Sequence, residues 1–346
     1  MTSSASPSLP AKHLQALDSI RFICAAIVVV GHVGIIPPHS LDGSLAGKLI
    51  GSLLGVMFNG QAAVIVFFVL SGFVIHYPQS SGRRLTLAPF YMRRLIRIGI
   101  PAIAAIILYQ VLDVPMGAPT FGVLWSIICE VIYYLLYPLL LTLSYRVSWR
   151  NLVIAASLIA LCFALANWSV LQRDQDYPSF GLWTWVVGLP CWLLGCWLAE
   201  NFHRFPELGR LQIWAVRLAI YGTSVALCIL KFHWLKASNV YMLNLMAFAV
   251  TAWIALEVQY FRERKPNALL EWSGGWSYSL YLVHPIAVTL TVSIATTFIH
   301  SPIAIALSVI LSLAFFFVIE RPAHALAKRV GRAAEANRRS ALPENA

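Results

Sequence analysis

Residues 59–77 read NGQAAVIVFFVLSGFVIHY, without one Asp, Glu, Lys or Arg. A run of roughly 20 mainly apolar residues is what a single helix needs to cross hydrocarbon. Nine further stretches have this character, at about 17–36, 97–113, 121–143, 151–167, 180–199, 213–231, 239–257, 275–298 and 302–320. The stretches at 97–113 and 151–167 are short. Residues 44–58 are moderately apolar and read as an interfacial or re-entrant helix. The expectation is an all-α polytopic membrane protein with about ten transmembrane helices.

The whole chain agrees with that stretch. Its 346 residues are 59% hydrophobic and 11% charged, and the mean hydropathy is +0.74. Soluble domains carry about 25% charged residues. So few charges cannot coat a soluble protein of this size. The formal net charge of +11 lies between the apolar runs and in the tails. Membrane topology explains that placement, and no groove-facing basic helix or zinc-finger spacing points to nucleic acid.

With the N-terminus placed in the cytoplasm, 21 of the 25 Lys and Arg fall on the cytoplasmic side. Only Lys48, Arg173, Lys231 and Lys236 fall outside. This asymmetry puts both termini inside. The expected layout is a cytoplasmic N-terminal tail (1–16), a single transmembrane domain (17–322) and a basic cytoplasmic C-terminal tail (323–346). That last tail is expected on the inner surface or partly disordered. No cleavage site follows the first apolar run, which reads as a retained span. The six cysteines sit inside apolar runs without ligand or redox spacing.

Ionisable groups inside a span are costly, so they are candidates for function. Arg21 and His32 lie eleven residues apart on roughly one helix face, about 16 Å along the axis. Arg21 reads as a snorkelling partner of Asp18 or as part of a site. His32 reads as an interhelical hydrogen bonder or as a general base, for which an imidazole suits neutral pH. Glu130 lies near mid-membrane within Trp125-Ser126-Ile127-Ile128-Cys129-Glu130. A lone carboxylate there must pair or be protonated, and it reads as a structural ion pair with an Arg or as a partner that orients and charges His32. Arg93, Arg94 and Arg97 open the third span. They serve topology alone, or bind the phosphates of a cytoplasmic donor through their forked guanidinium groups.

Weaker signals come from other positions. Ser71-Gly72 lets helices approach closely. His284-Pro285 breaks a span and either lines a cavity or does not. His76, Glu257 and Glu320 sit at span ends and read as interfacial. There is no nucleophile elbow, P-loop, dinucleotide fingerprint or metal cluster.

These segments together resemble acyltransferase family 3, bacterial membrane-bound O-acyltransferases of surface polysaccharides. Leu17-Asp18-Ser19-Ile20-Arg21 is similar to that family's Leu-Asp-Gly-Leu-Arg opening, and Arg21 with His32 matches its basic-x10-His motif. Phe67 to Phe73 matches Phe-Phe-Val-Leu-Ser-Gly-Phe, and Arg94 with Arg97 matches Arg-x-x-Arg. Trp125-Ser126 through Glu130 resembles Trp-Ser-Leu-x-x-Glu. Tyr278-Ser279-Leu280-Tyr281-Leu282-Val283-His284 resembles Ser-Tyr-Ser-Leu-Tyr-Leu-x-His. Six matches run in order from residue 17 to about 285. Ser19 departs from the usual Gly, and Val131 stands where a second acidic residue often follows.

The resemblance implies acyl-CoA, often acetyl-CoA, as donor substrate rather than a tightly bound cofactor. It implies a hydroxyl of a cell-surface or exported carbohydrate as acceptor. It makes His32 the catalytic base, Glu130 its partner, and Arg21, Arg94 and Arg97 donor-binding candidates, to which the basic cluster itself adds Arg93. It also implies residence in the bacterial inner membrane, with polysaccharide-assembly proteins as partners. Direct transfer and an acyl-His32 intermediate are both open. The rival class is a transporter or flippase for a glycan or lipid-linked precursor, with Arg, His and Glu forming a path. A third class is a non-catalytic scaffold in polysaccharide assembly.

Overall fold

The computed structural model describes residues 14–34, 44–115, 122–173, 176–231, 239–292 and 300–340. The expected tails therefore lie partly outside the described residues, as do Lys12, Lys236 and the end of the expected span 275–298. Thirteen α-helices follow in order: α1 (Leu17–Val33), α2 (Leu45–Met57), α3 (Gly60–Ser80), α4 (Leu87–Val111), α5 (Trp125–Ala166), α6 (Trp168–Arg173), α7 (Thr184–Asn201), α8 (Arg210–Ile229), α9 (Asn239–Tyr260), α10 (Ala268–Gly274), α11 (Ser277–Val292), α12 (His300–Phe315) and α13 (Arg321–Ser340). A π-helical segment, Phe316–Glu320, joins the last two. Every regular element among the described residues is helical, as hydrocarbon demands of a chain that must satisfy its own backbone.

Among the described residues, seven helical stretches are long and apolar enough to cross a membrane. With 17 and 16 described residues, α1 and α11 fall short of that length. The count of ten spans and the side on which the termini lie belong to the proposal below.

One element is two spans in disguise. The ring of Trp125, at the start of α5, stacks 5.9 Å from Tyr177, and Phe163 near its end lies 5.7 Å from Phe180. A straight helix would hold Trp125 and Phe163 about 57 Å apart. The chain therefore doubles back, and it does so at Ser148, with φ 61° and ψ 151°. Trp149, just past the reversal, sits 4.5 Å from His76 near the far end of α3. The expected spans 121–143 and 151–167 are the two arms.

At the centre stands α3, apolar all round and buried along most of its length. It packs on α7 with backbone against backbone at two glycines. A Cβ at Gly72 would lie 1.9 Å from the Trp192 carbonyl oxygen, and one at Gly195 would lie 2.1 Å from that of Val69. The small-residue reading of Ser71-Gly72 holds. Around this pair lie α1, α5 and α9. Both ends of α1 are fixed. The Ser19 backbone N–H and hydroxyl donate to Glu271 of α10 at 2.9 and 2.5 Å, and Ser301 donates to the Gly34 carbonyl at 2.8 Å.

Three groups read as interfacial are instead buried in protein. Glu257 takes a two-pronged ion pair from Arg217 at 2.7 and 2.8 Å. Glu320 accepts from the Ser279 backbone N–H and hydroxyl. His76 meets Tyr137 at 3.0 Å and Glu200 at 3.2 Å. Each has partners that make burial affordable. The C-terminal tail, expected on a surface or partly disordered, is helical through Ser340 and packs on α4.

The α3–α7 contact makes a direct prediction. Gly72→Ala places a methyl group into a carbonyl and should cost about 2 kcal/mol. Gly222, in α8, has nothing within 4 Å of a built Cβ. Gly222→Ala should leave stability equal or higher. Apparent melting temperatures of the two variants in detergent compare them, and equal values would contradict the contact.

Candidate functional site

The ionisable candidates converge because α1, α3, α4, α5 and α11 turn polar groups toward one another. A cavity of about 250 Å³ lies between them. One end is rich in charge. Asp18 and Arg21 enter from α1, Arg94 and Arg97 from the first turns of α4, and Glu320 and His324 from the junction into α13. At this end Arg21 donates to Asp18 at 2.7 Å, and Arg97 Nε donates to His324 Nε2 at 3.1 Å.

Midway, Glu130 is held by hydroxyls. It accepts from Ser71 Oγ at 2.7 Å and from the Tyr134 hydroxyl one helical turn on. Ser71 in turn accepts from Trp192 Nε1 at 3.2 Å. The Arg94 guanidinium lies 6.0 Å from the Tyr134 ring centre. A carboxylate gripped this way is fixed in place without a touching cation.

The far end is narrower chemically. Val64, Phe67, Ser126 and Tyr281 line it. The Tyr281 hydroxyl meets Ser126 Oγ at 2.7 Å and the Val123 carbonyl at 2.9 Å. Past Tyr281, with ring centres 6.1 Å apart, comes His284. His284 Nε2 lies 3.2 Å from His32 Nδ1. The two histidines thus sit beyond the cavity wall at its far end. His284 is fully buried, whereas His32, at the last turn of α1, is exposed.

The neutral tautomers follow from these contacts. His284 Nδ1 faces the Leu280 carbonyl at 3.2 Å, so it must carry a proton. His284 Nε2 is then an acceptor. His32 Nδ1, 2.9 Å from the Val28 carbonyl and 3.2 Å from His284 Nε2, must donate. That assignment leaves the lone pair of His32 on Nε2. A partner that fixes the tautomer of an imidazole is a common support for a general base.

The structure therefore sorts the candidates. Arg21, Arg94, Arg97 and Glu130 share one cavity. Arg93 faces a neighbouring chamber and is bonded to Glu335 at 2.7 Å. His32 takes its side-chain partner from His284, while Glu130 binds Ser71 and Tyr134. Tyr281 and Ser126 carried no individual signal in the sequence beyond their place in two motifs. His284 did carry one, since a His-Pro pair interrupts an apolar run.

The acyltransferase-domain family matches residues 14–321. The chain is similar to "Acyltransferase MdmB" of Streptomyces mycarofaciens, 24% identical over 318 residues and covering 78% of each chain. It is also similar to "Nodulation protein 10" of Rhizobium leguminosarum bv. viciae, 27% identical over 183 residues, which are 50% of this chain and 46% of the relative. No solved structure matches the chain. A family match across nearly all of the helical bundle shows that this chain belongs to acyltransferase family 3.

Proposed function

We propose that this acyltransferase moves an acetyl group from cytoplasmic acetyl-CoA to a hydroxyl of a cell-surface or exported carbohydrate. In this reading the chain sits in the bacterial inner membrane with ten spans and both termini inside. The supporting observation is the cavity itself. It leads from a cluster of arginines to Tyr281, and the imidazole pair stands behind that ring.

The donor phosphates stay at the charged end, near Arg21, Arg94 and Arg97. The arm carrying the thioester runs past Glu130 toward Tyr281. Glu130 fixes the cavity wall through Ser71 and Tyr134, and His284 takes the role of partner to His32. His32 Nε2 accepts the proton of the acceptor hydroxyl. The freed oxygen attacks the thioester carbonyl carbon, the C–S bond breaks, and the thiolate leaves with the proton that His32 returns. Because His32 lies at the end opposite the arginines, the acyl group crosses most of the bundle before it is transferred.

Two variants test the assignment in membranes supplied with radiolabelled acetyl-CoA. His32→Ala should lower acetyl transfer by about 10²-fold or more while the protein still binds CoA. Undiminished transfer would remove His32 as the base. His284→Ala should slow turnover by about tenfold, with little change in KM for the donor, because His32 keeps its base but loses the group that fixes its ring. A change confined to KM would place His284 in donor binding instead.

A further inference from the structure

An apolar hollow of about 400 Å³ lies between α4 and α5, and the reaction proposed above makes no use of it. Its α4 side is Ala102, Ile106 and Gln110, spaced four residues apart on one helix face. Its α5 side is an aliphatic stripe that runs from Leu124 to Ile132. Apart from the Gln110 amide, the lining side chains are hydrocarbon. A charged or sugar group placed there would lose its water and find almost no partner, so the hollow suits an alkyl chain.

This hollow and the polar cavity lie on two sides of α5. Ser126, Glu130 and Tyr134, four residues apart, face the cavity. Leu124, Ile128 and Ile132, also four apart, face the hollow. Ile127 falls between the two stripes. It is buried, and among the described residues it is the one side chain that lines both spaces. It follows Ser126, whose hydroxyl meets Tyr281 at 2.7 Å, and it stands one turn before Glu130. The thioester arm of the donor is placed along this same stretch, between Glu130 and Tyr281.

We propose that Ile127 sets the length of acyl chain that the donor can carry. With isoleucine in place, a chain that grows from the thioester toward α4 meets a wall. A two-carbon group stops short of it, and a six-carbon chain does not fit. With a smaller residue the wall opens onto the hollow, and each added methylene moves into a dry apolar space. The inference rests on the acyl-CoA reading above and adds to it a residue that determines specificity. A lipid tail from the bilayer has the same hydrocarbon chemistry. The wall shared with the cavity favours the donor's own chain, which reaches the hollow from inside the protein.

The test uses the full-length protein in the membranes of the transfer assay above, with acetyl-CoA, butyryl-CoA and hexanoyl-CoA as alternative donors, each radiolabelled in its acyl group. Wild type should transfer acetyl about tenfold or more faster than hexanoyl. Ile127→Ala should shrink that ratio by about tenfold, and Ile127→Val should shrink it less. Ile132→Ala, which enlarges the hollow without touching the cavity wall, should keep the wild-type ratio. Ala102→Phe fills the hollow from α4, and added to Ile127→Ala it should restore the preference for acetyl. An unchanged ratio in Ile127→Ala overturns the proposal and leaves the hollow to lipid tails. A wild type that takes hexanoyl as readily as acetyl overturns it too, as does a gain that survives Ala102→Phe. Should Ile127→Ala fail to fold, Ile127→Val decides with butyryl-CoA, and a ratio equal to that of wild type overturns the proposal. Failure of wild type to use any of the three donors would instead bring down the acyl-CoA reading, and the role of Ile127 with it.

Discussion

Inside hydrocarbon there is no water to satisfy a polar group, so each must find a partner within the protein or be expelled. That constraint organises this molecule. Glu257 takes Arg217, Glu320 takes Ser279, Glu130 takes Ser71 and Tyr134, and His284 takes His32. The apolar surfaces face outward and specify little, because lipid tails are as apolar as the side chains that meet them. Position is set by close backbone contacts such as Gly72 with Gly195, and by the polar pairs. The candidate cavity is a by-product of the same rule, since polar groups that must avoid lipid collect in one interior space.

Much of this was legible in the sequence. Composition and run length dictate a helical membrane protein, and each expected apolar stretch falls on a helix over most of its described residues. The likeness of Phe67–Phe73, Arg94 with Arg97 and the Glu130 segment to one family placed the chain correctly. What could not be read was register between helices distant in sequence. Glu130 and His32 are both isolated ionisable groups in apolar surroundings, and pairing them was the economical reading. The folded chain separates them because α11 lies beside α1 and brings His284 to His32. Hydropathy records depth and is silent about which neighbour a helix chooses. The same limit hid the apolar hollow behind Ile127, which needs the facing sides of α4 and α5 together.

The reversal at Ser148 shows another kind of limit. Hydropathy and the charges of Arg146 and Arg150 separate the expected spans 121–143 and 151–167, and they do not say at which residue the chain turns. The two aromatic contacts at Tyr177 and Phe180 show the return, and the Ser148 backbone marks where it happens. A single residue in a left-handed backbone conformation decides how the sequence after it is oriented in the membrane.

This is a multi-pass membrane acyltransferase whose first helix is held at both ends. Glu271 grips its start through Ser19, and Ser301 grips its close through Gly34. Between those clamps the rise of a helix is invariant, so Arg21 and His32 stay about 16 Å apart. Such a strut acts as a gauge. On the proposed reading it would set how far a reactive carbon stands from its anchoring charge when it meets the imidazole, and a molecule with the right head but a shorter reach would bind without reacting.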